Sequence, residues 1–246
     1  MMTEYTFGDK QARNVLVQMV DSHDLSVMEN EVASIRQMTG AKFYLIAMKV
    51  NRWNHDLSPW AAPAVFGDES FGDGAEDTLK AVLNQLGEID PDKNYFIGGY
   101  SLAGLFALWS AYRTDVFSGV AAASPSIWFP GFSHYMSDRK IHTGAVYLSL
   151  GDREERTRNP VLSTVGDRIR EAYELLRDTG TDCVLEWNRG NHFKEPDLRT
   201  AKAFAWLINR TQTGRDVCTS CIYRRFLPCD PENRWYDSKI SKRIGG

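Results

Sequence analysis

Ser101 lies between two glycine clusters in Gly98-Gly99-Tyr100-Ser101-Leu102-Ala103-Gly104, after the apolar run Tyr95-Phe96-Ile97 and before a second, Leu105 to Trp109. A serine on a sharp strand-to-helix turn presents its hydroxyl clear of both elements. Small neighbours are needed, because bulk there collides with the strand and helix that the turn joins. The pattern departs from Gly-x-Ser-x-Gly at one place, where Ala103 stands for the last glycine and Gly104 follows. Alanine is the smallest substitute. The segment therefore reads as a nucleophile elbow, whose chemistry is covalent acyl transfer.

A serine hydroxyl attacks poorly near neutral pH, so it needs a histidine to take its proton and a carboxylate to fix that histidine's tautomer. On an elbow fold both follow the serine, acid first, each on a loop after a strand. Downstream, Ala145-Val146-Tyr147-Leu148-Ser149-Leu150 runs into Gly151-Asp152-Arg153-Glu154-Glu155, and Cys183-Val184-Leu185-Glu186-Trp187 runs into Asn188-Arg189-Gly190-Asn191-His192-Phe193. Of the five histidines, His23, His55, His134, His142 and His192, only His192 follows a strand beyond the acidic cluster and precedes a helix. Position alone leaves Asp152, Glu154 and Glu155 as candidates for the acid; the rest of that cluster, with Arg153, Arg156 and Arg158, reads as a solvated charged loop.

Taken together these residues resemble the esterase family of the α/β-hydrolase superfamily that includes enterochelin-esterase-like and S-formylglutathione-hydrolase-like enzymes. The resemblance rests on Gly99-Tyr100-Ser101-Leu102-Ala103-Gly104, on the turn Leu150-Gly151-Asp152-Arg153-Glu154, on Gly190-Asn191-His192, and on Asn51-Arg52-Trp53-Asn54-His55-Asp56-Leu57-Ser58-Pro59. It covers roughly residues 13–209 and is specific as a set. It implies an α/β-hydrolase fold and a catalytic triad of Ser101, Glu154 and His192, the acid being the residue three beyond Gly151. Elbow geometry makes the Leu102 backbone N–H one oxyanion donor. Family members usually carry a glycine just past the strand that supplies the other. Here Val15 to Val20 is followed by Asp21-Ser22-His23, and the Ser22 amide takes that place.

Composition fits a single α/β domain that buries one substantial core: 246 residues, 43% hydrophobic, 12% aromatic. A net charge of −3 and a pI near 6.0 argue against a nucleic-acid partner, whose ligand would show a basic face or a pI above about 9. No run approaches the roughly 18 apolar residues of a membrane helix. Met1 to Thr6 shows no basic-then-apolar leader, and the expected location is cytoplasmic. The expected partner is a small ester; no cofactor and no metal are expected, and the oligomeric state is not read from the sequence.

The elements that must hold these residues are strands at Val15 to Val20, Phe43 to Met48, Tyr95 to Gly98, Val120 to Ala123, Ala145 to Leu150 and Cys183 to Trp187. Most are continuous apolar runs, as in a mostly parallel sheet covered by helices on both faces. Helices are expected at Val27 to Met38, Ala75 to Leu86, Leu102 to Tyr112, Thr164 to Leu176 and Asp197 to Ile208, and the alternation gives α/β. Asn51 to Gly74 lacks periodicity yet holds Trp53, Trp60, Phe66 and Phe71, which reads as one wall of a substrate site or as a loop packed over the sheet edge. Ser124 to Phe132 gives the opposite wall. Tyr100, Trp53 and Trp128 are the candidate substrate-binding residues.

The catalytic domain is expected over residues 1–210. Residues 211–246 form an extension with seven Lys and Arg against four Asp and Glu. Its Cys218, Cys221 and Cys229 lack a fourth zinc ligand, since Cys183 belongs to a strand, so reduced thiols are expected. The same triad serves an acyltransferase with an alcohol or thiol acceptor. The alternative of another class is a binding protein that kept the fold and lost activity.

Overall fold

Why the site residues converge is settled by the direction of the strands. The computed structural model describes residues 2–213. Seven strands, β1 (Thr3–Gly8), β2 (Asn14–Val20), β3 (Phe43–Lys49), β4 (Asn94–Tyr100), β5 (Gly119–Ala123), β6 (Ala145–Gly151) and β7 (Asp182–Asn188), form one sheet in the order β1-β3-β2-β4-β5-β6-β7. Only β1 runs antiparallel to its neighbour; β2 to β7 are parallel. Every loop that leaves a parallel strand therefore opens at the same edge, and β4 is the central strand. The register pairs Tyr100 with Ala123 and Gly151 with Asn188, which brings the segments after β4 to β7 to one level. Ligand sites of open α/β sheets lie at this carboxyl edge.

Continuous apolar runs become strands buried on both faces: all seven residues of β2 and all five of β5 are buried. The edge strands are different. In β1 (Thr3-Glu4-Tyr5-Thr6-Phe7-Gly8) only Glu4 and Phe7 are half-buried and the rest are exposed, which gave little apolar signal, and this strand escaped sequence reading. β7 is mostly half-buried, and its exposed Trp187 carries the Arg170 guanidinium 4.8 Å from its ring centroid.

Helices α1 (Ser22–Thr39) and α7 (Pro196–Thr213) cover one face, where Leu16, Val20, Met28, Val32, Ile35, Phe204 and Leu207 share a core. The other face packs on α3 (Ala75–Leu86), α4 (Leu102–Ser110), α5 (Phe132–Ser137) and α6 (Val165–Asp178); a short α2 (Trp53–Asp56) precedes α3 in the aperiodic segment. All nine residues of α4 are buried, as expected of a helix apolar all round. No described helix is long and apolar enough to cross a membrane. Cys218, Cys221 and Cys229, and with them the expectation about zinc, lie outside the described residues.

One polar pair interrupts the α1 face. Gln18, on the β2 face that also carries Leu16 and Val20, donates from Nε2 to Glu31 Oε2 at 3.3 Å, and both side chains are buried. Burial pushes the Glu31 carboxyl up to about 8, and the charges of Asp24 and Asp197 add to the rise against the Gln18 bond. Between the ordinary glutamate value and about 8 the folded chain keeps a proton that the unfolded chain has released, so stability falls as pH rises through that window. Glu31→Gln removes the titration. Its melting temperature is expected to exceed wild type at about pH 8.5, by on the order of 1–3 kcal/mol in stability, and the gap is expected to shrink at about pH 5. Thermal melts of both proteins at the two pH values check this.

Gly98 shows how tightly the centre of the sheet is filled. A Cβ there meets Phe204 Cζ at 2.6 Å and Ala121 Cβ at 2.7 Å. Gly98→Ala is expected to lower stability by about 1–3 kcal/mol, the usual cost of forcing extra volume into a packed core, which a denaturant titration reads directly.

Candidate active site

The β4 strand ends in the turn that its glycines permit. Ser101 has φ 56° and ψ −120°, a left-handed conformation that a side-chain-bearing residue occupies only under strain of order 1–3 kcal/mol. A Cβ on Gly99 meets Ala103 Cβ at 2.6 Å, and one on Gly104 meets Gly99 O at 3.0 Å and Ala123 O at 3.2 Å. The methyl of Ala103 thus occupies space that Gly99 leaves free, while Gly104 admits β5. This accounts for the displaced glycine in the motif. Ser101 N–H donates to Ala123 O, and Ser126 N–H donates to Ser101 O at 3.0 Å, so the loop after β5 is fastened to the turn.

His192 reaches Ser101 from the loop after β7. Its Nε2 is 3.0 Å from Ser101 Oγ and its Nδ1 is 2.7 Å from Glu154 Oε2. Glu154 comes from the turn after β6, where Gly151 leaves room for Gly190 O, which a Cβ would strike. The other acids face elsewhere. Asp152 accepts the Gly190 N–H at Oδ1, 2.8 Å, and Glu155 pairs with Arg170 at 3.5 Å. Among the remaining histidines, His55 lies against Asp56 and Asp73, and His134 against Asp138.

The Glu154 carboxylate is almost wholly enclosed. Its Oε1 accepts from the Gly151 N–H (2.6 Å), the Ser124 hydroxyl (2.8 Å) and Arg199 Nη1 (2.8 Å). Burial alone raises such a carboxyl, but the bond and charge of His192, the Gly151 amide and the Ser124 hydroxyl outweigh it and hold Glu154 below the ordinary glutamate value. It stays ionised at neutral pH, and the stability it contributes is lost only as pH falls through that lowered value.

Arg199 was not singled out in the sequence, and Ser124 was placed in a wall of the site and not beside the acid. A signal existed for Arg199: it stands four residues before Ala203 and eight before Leu207, on the apolar stripe of α7, where a charge is costly unless paired. Ser124, with φ 41°, carries no comparable mark. Ser126 Oγ, 3.3 Å from Ser101 Oγ, is a further neighbour of that hydroxyl.

The two oxyanion candidates stand at helix starts on the same sheet edge. Leu102 opens α4 and Ser22 opens α1, positions whose N–H groups have no intrahelical acceptor. Asp21 caps α1 by accepting from the His23 and Asp24 amides, which leaves the Ser22 N–H outside that cap. β2 pairs directly with β4 through Gln18 and Gly98, so Ser22 emerges beside the elbow strand.

The aromatic candidates separate. Tyr100, expected to meet substrate, is half-buried, and its hydroxyl donates to His192 O at 2.7 Å and accepts from Arg199 Nη1 at 3.0 Å, which ties it to the histidine loop. Burial, then the Glu154 charge, push its phenol up to about 12, so it remains a donor. Trp128 lies two residues past Ser126, with Phe66 and Phe71 each 6.0 Å away between ring centroids. Trp53 packs half-buried against the core of the α4 face and makes no hydrogen bond or ring contact with the triad among the described residues. The aperiodic segment is closed by a bridge between Ala62 and Phe71, and Trp60 Nε1 donates to Pro130 O at 2.9 Å, joining the two expected walls.

Among the described residues no group of His, Cys, Asp and Glu is arranged to hold a metal ion. What the arrangement can do is move a proton from a serine hydroxyl to an imidazole whose second nitrogen faces a buried carboxylate.

Comparison with solved structures shows the same architecture. The siderophore hydrolase EstA from Aspergillus nidulans superposes with a TM-score of 0.64 at 18% identity, over 85% of this chain and 95% of that one. An IroE-like serine hydrolase from Shewanella oneidensis gives 0.67 at 16% identity, over 85% and 76%. A Bacillus cereus carboxylesterase gives 0.56 at 13% identity, over 85% and 94%. In sequence the chain is similar to the uncharacterized protein YbbA of Bacillus subtilis (strain 168), 20% identical over 212 residues that cover 76% of this chain and 84% of that protein. No family model matches the chain. At these identities the likeness shows the fold: the chain has the α/β-hydrolase fold.

Proposed function

We propose that this chain is a serine esterase that cleaves a carboxylic ester of a small molecule through an acyl-enzyme intermediate, with residues 1–210 as its catalytic domain. The observation that carries the reading is His192, set 3.0 Å from Ser101 Oγ and 2.7 Å from the ionised Glu154 on a strained elbow turn. Ser101 Oγ attacks the ester carbonyl while His192 Nε2 accepts its proton. Glu154 holds the proton on Nδ1 and stabilises the imidazolium. The Leu102 and Ser22 amides receive the developing oxyanion. His192 returns its proton to the leaving alcohol, then activates a water that attacks the acyl carbonyl and frees Ser101.

The reading needs no metal or cofactor and involves neither nucleic acid nor membrane; a cytoplasmic location goes with it. Neighbours of the same fold are named as a siderophore hydrolase and an enterobactin esterase, so siderophore esters belong in a substrate panel beside simple acyl esters. Rapid mixing with p-nitrophenyl acetate tests the reaction class. A burst of about one nitrophenolate per chain, followed by slower turnover, is expected of an acyl-enzyme. Absence of turnover across the panel argues for the binding protein instead, and product formed only with an added alcohol or thiol argues for the acyltransferase.

A further inference from the structure

Arg199 is 2% exposed, and its guanidinium bonds to the ends of four strands. Nη1 donates to Tyr100 Oη (3.0 Å) at the end of β4, to Ser124 Oγ (3.2 Å) after β5 and to Glu154 Oε1 (2.8 Å) after β6. Nη2 donates to Asn191 O (3.0 Å) and Arg189 O (3.5 Å) after β7. Two of its partners act again on the triad: Tyr100 donates to His192 O, and Ser124 donates to Glu154 Oε1. One side chain from α7 therefore ties together the loops that carry the acid and the histidine.

We infer that Arg199 is a positioning residue of the proposed esterase, which clamps the Glu154 and His192 loops into register and sets its buried positive charge against the Glu154 carboxylate. The inference rests on the esterase reading for its kinetic consequence. Glu154 faces two cations in the transition state, Arg199 at Oε1 and the imidazolium at Oε2. A buried guanidinium about this close is weakly screened, and repels a proton added to the pair. Removing that charge is expected to ease protonation of the pair, so that activity is lost at higher pH on acidification. Of the other charged groups nearby, Asp152 accepts the Gly190 amide, Lys202 pairs with Glu186 at 2.7 Å and Lys194 lies 4.0 Å from Glu195, while Arg153 adjoins Glu154 and Arg189 lies in the histidine loop. Tyr100 stays neutral.

Charge and clamp separate by substitution. Arg199→Lys keeps the charge, but an ammonium cannot span four loops as the planar fork does. Arg199→Met loses both. In Arg199→Met, kcat on an activated ester is expected to fall on the order of 10- to 100-fold with KM within about threefold, and the acid limb of kcat/KM to move up by about one pH unit. In Arg199→Lys the limb is expected within about 0.3 unit of wild type, with a smaller fall in kcat. Guanidinium ion added to Arg199→Ala is expected to restore part of kcat.

NMR titration of the His192 ring gives the same comparison without turnover, so a wild-type protein that hydrolyses no ester sinks the esterase reading yet still tests the clamp. Circular dichroism establishes that each variant is folded; if Arg199→Met is not, Arg199→Gln takes its place. A folded charge-removing variant whose acid limb and ring titration coincide with wild type overturns the inference.

Discussion

Ser101→Ala is expected to abolish ester hydrolysis, lowering kcat by on the order of 10⁴-fold or more, while the melting temperature stays within a few degrees of wild type. In the proposed mechanism the hydroxyl is the attacking atom, and no neighbour replaces it: Ser126 Oγ is 3.3 Å from Ser101 Oγ, but His192 Nε2 is aimed at Ser101. The substitution removes one hydroxyl from a half-buried side chain and leaves the backbone bonds of the turn in place. Steady-state assays on a short activated ester, with thermal melts of the same preparations, give the result. Wild-type turnover in purified Ser101→Ala contradicts the serine mechanism.

The second large effect belongs to the acid. Glu154→Gln keeps the shape of the side chain but supplies only a neutral partner to the imidazolium, and kcat is expected to fall by on the order of 10²–10⁴. It also leaves Arg199 facing an amide where it faced a charge, and an unpaired buried charge costs stability. A modest loss of melting temperature is therefore expected beside the kinetic loss. Asp152→Asn and Glu155→Gln are each expected to cost less than about tenfold, because Asp152 holds the Gly190 amide and Glu155 reaches Arg170 rather than the imidazole. The three kcat values, measured side by side, decide the acid: a larger loss in Asp152→Asn or Glu155→Gln than in Glu154→Gln removes Glu154 from the triad and spares the hydrolase reading.

The parts of this site that were legible in the sequence are those that a backbone requirement writes into residue type. Glycines around Ser101, an acidic turn after one apolar strand and a Gly-Asn-His turn after the next are each forced by strand-end geometry, and the parallel sheet then brings them to one edge. Residue type alone left three acids open, and side-chain direction separates them. Tyr100 read as a substrate contact, and the structure adds that its hydroxyl meets the histidine loop at His192 O, a direction that residue type does not carry. The partners of Arg199 were not legible because its side-chain contacts, Tyr100, Ser124 and Glu154, lie 99, 75 and 45 residues away in sequence. The edge strand β1 went unread for a simpler reason: with none of its residues fully buried, it carries little apolar content.

Covalent labelling with a fluorophosphonate tests the central claim most directly, because phosphonylation needs a serine that a neighbouring base has activated. The account predicts one adduct per chain, located by peptide mass spectrometry on Ser101, abolished in Ser101→Ala and strongly slowed in Glu154→Gln. An unlabelled wild-type protein, or an adduct that persists on Ser124 or Ser126 in Ser101→Ala, contradicts it.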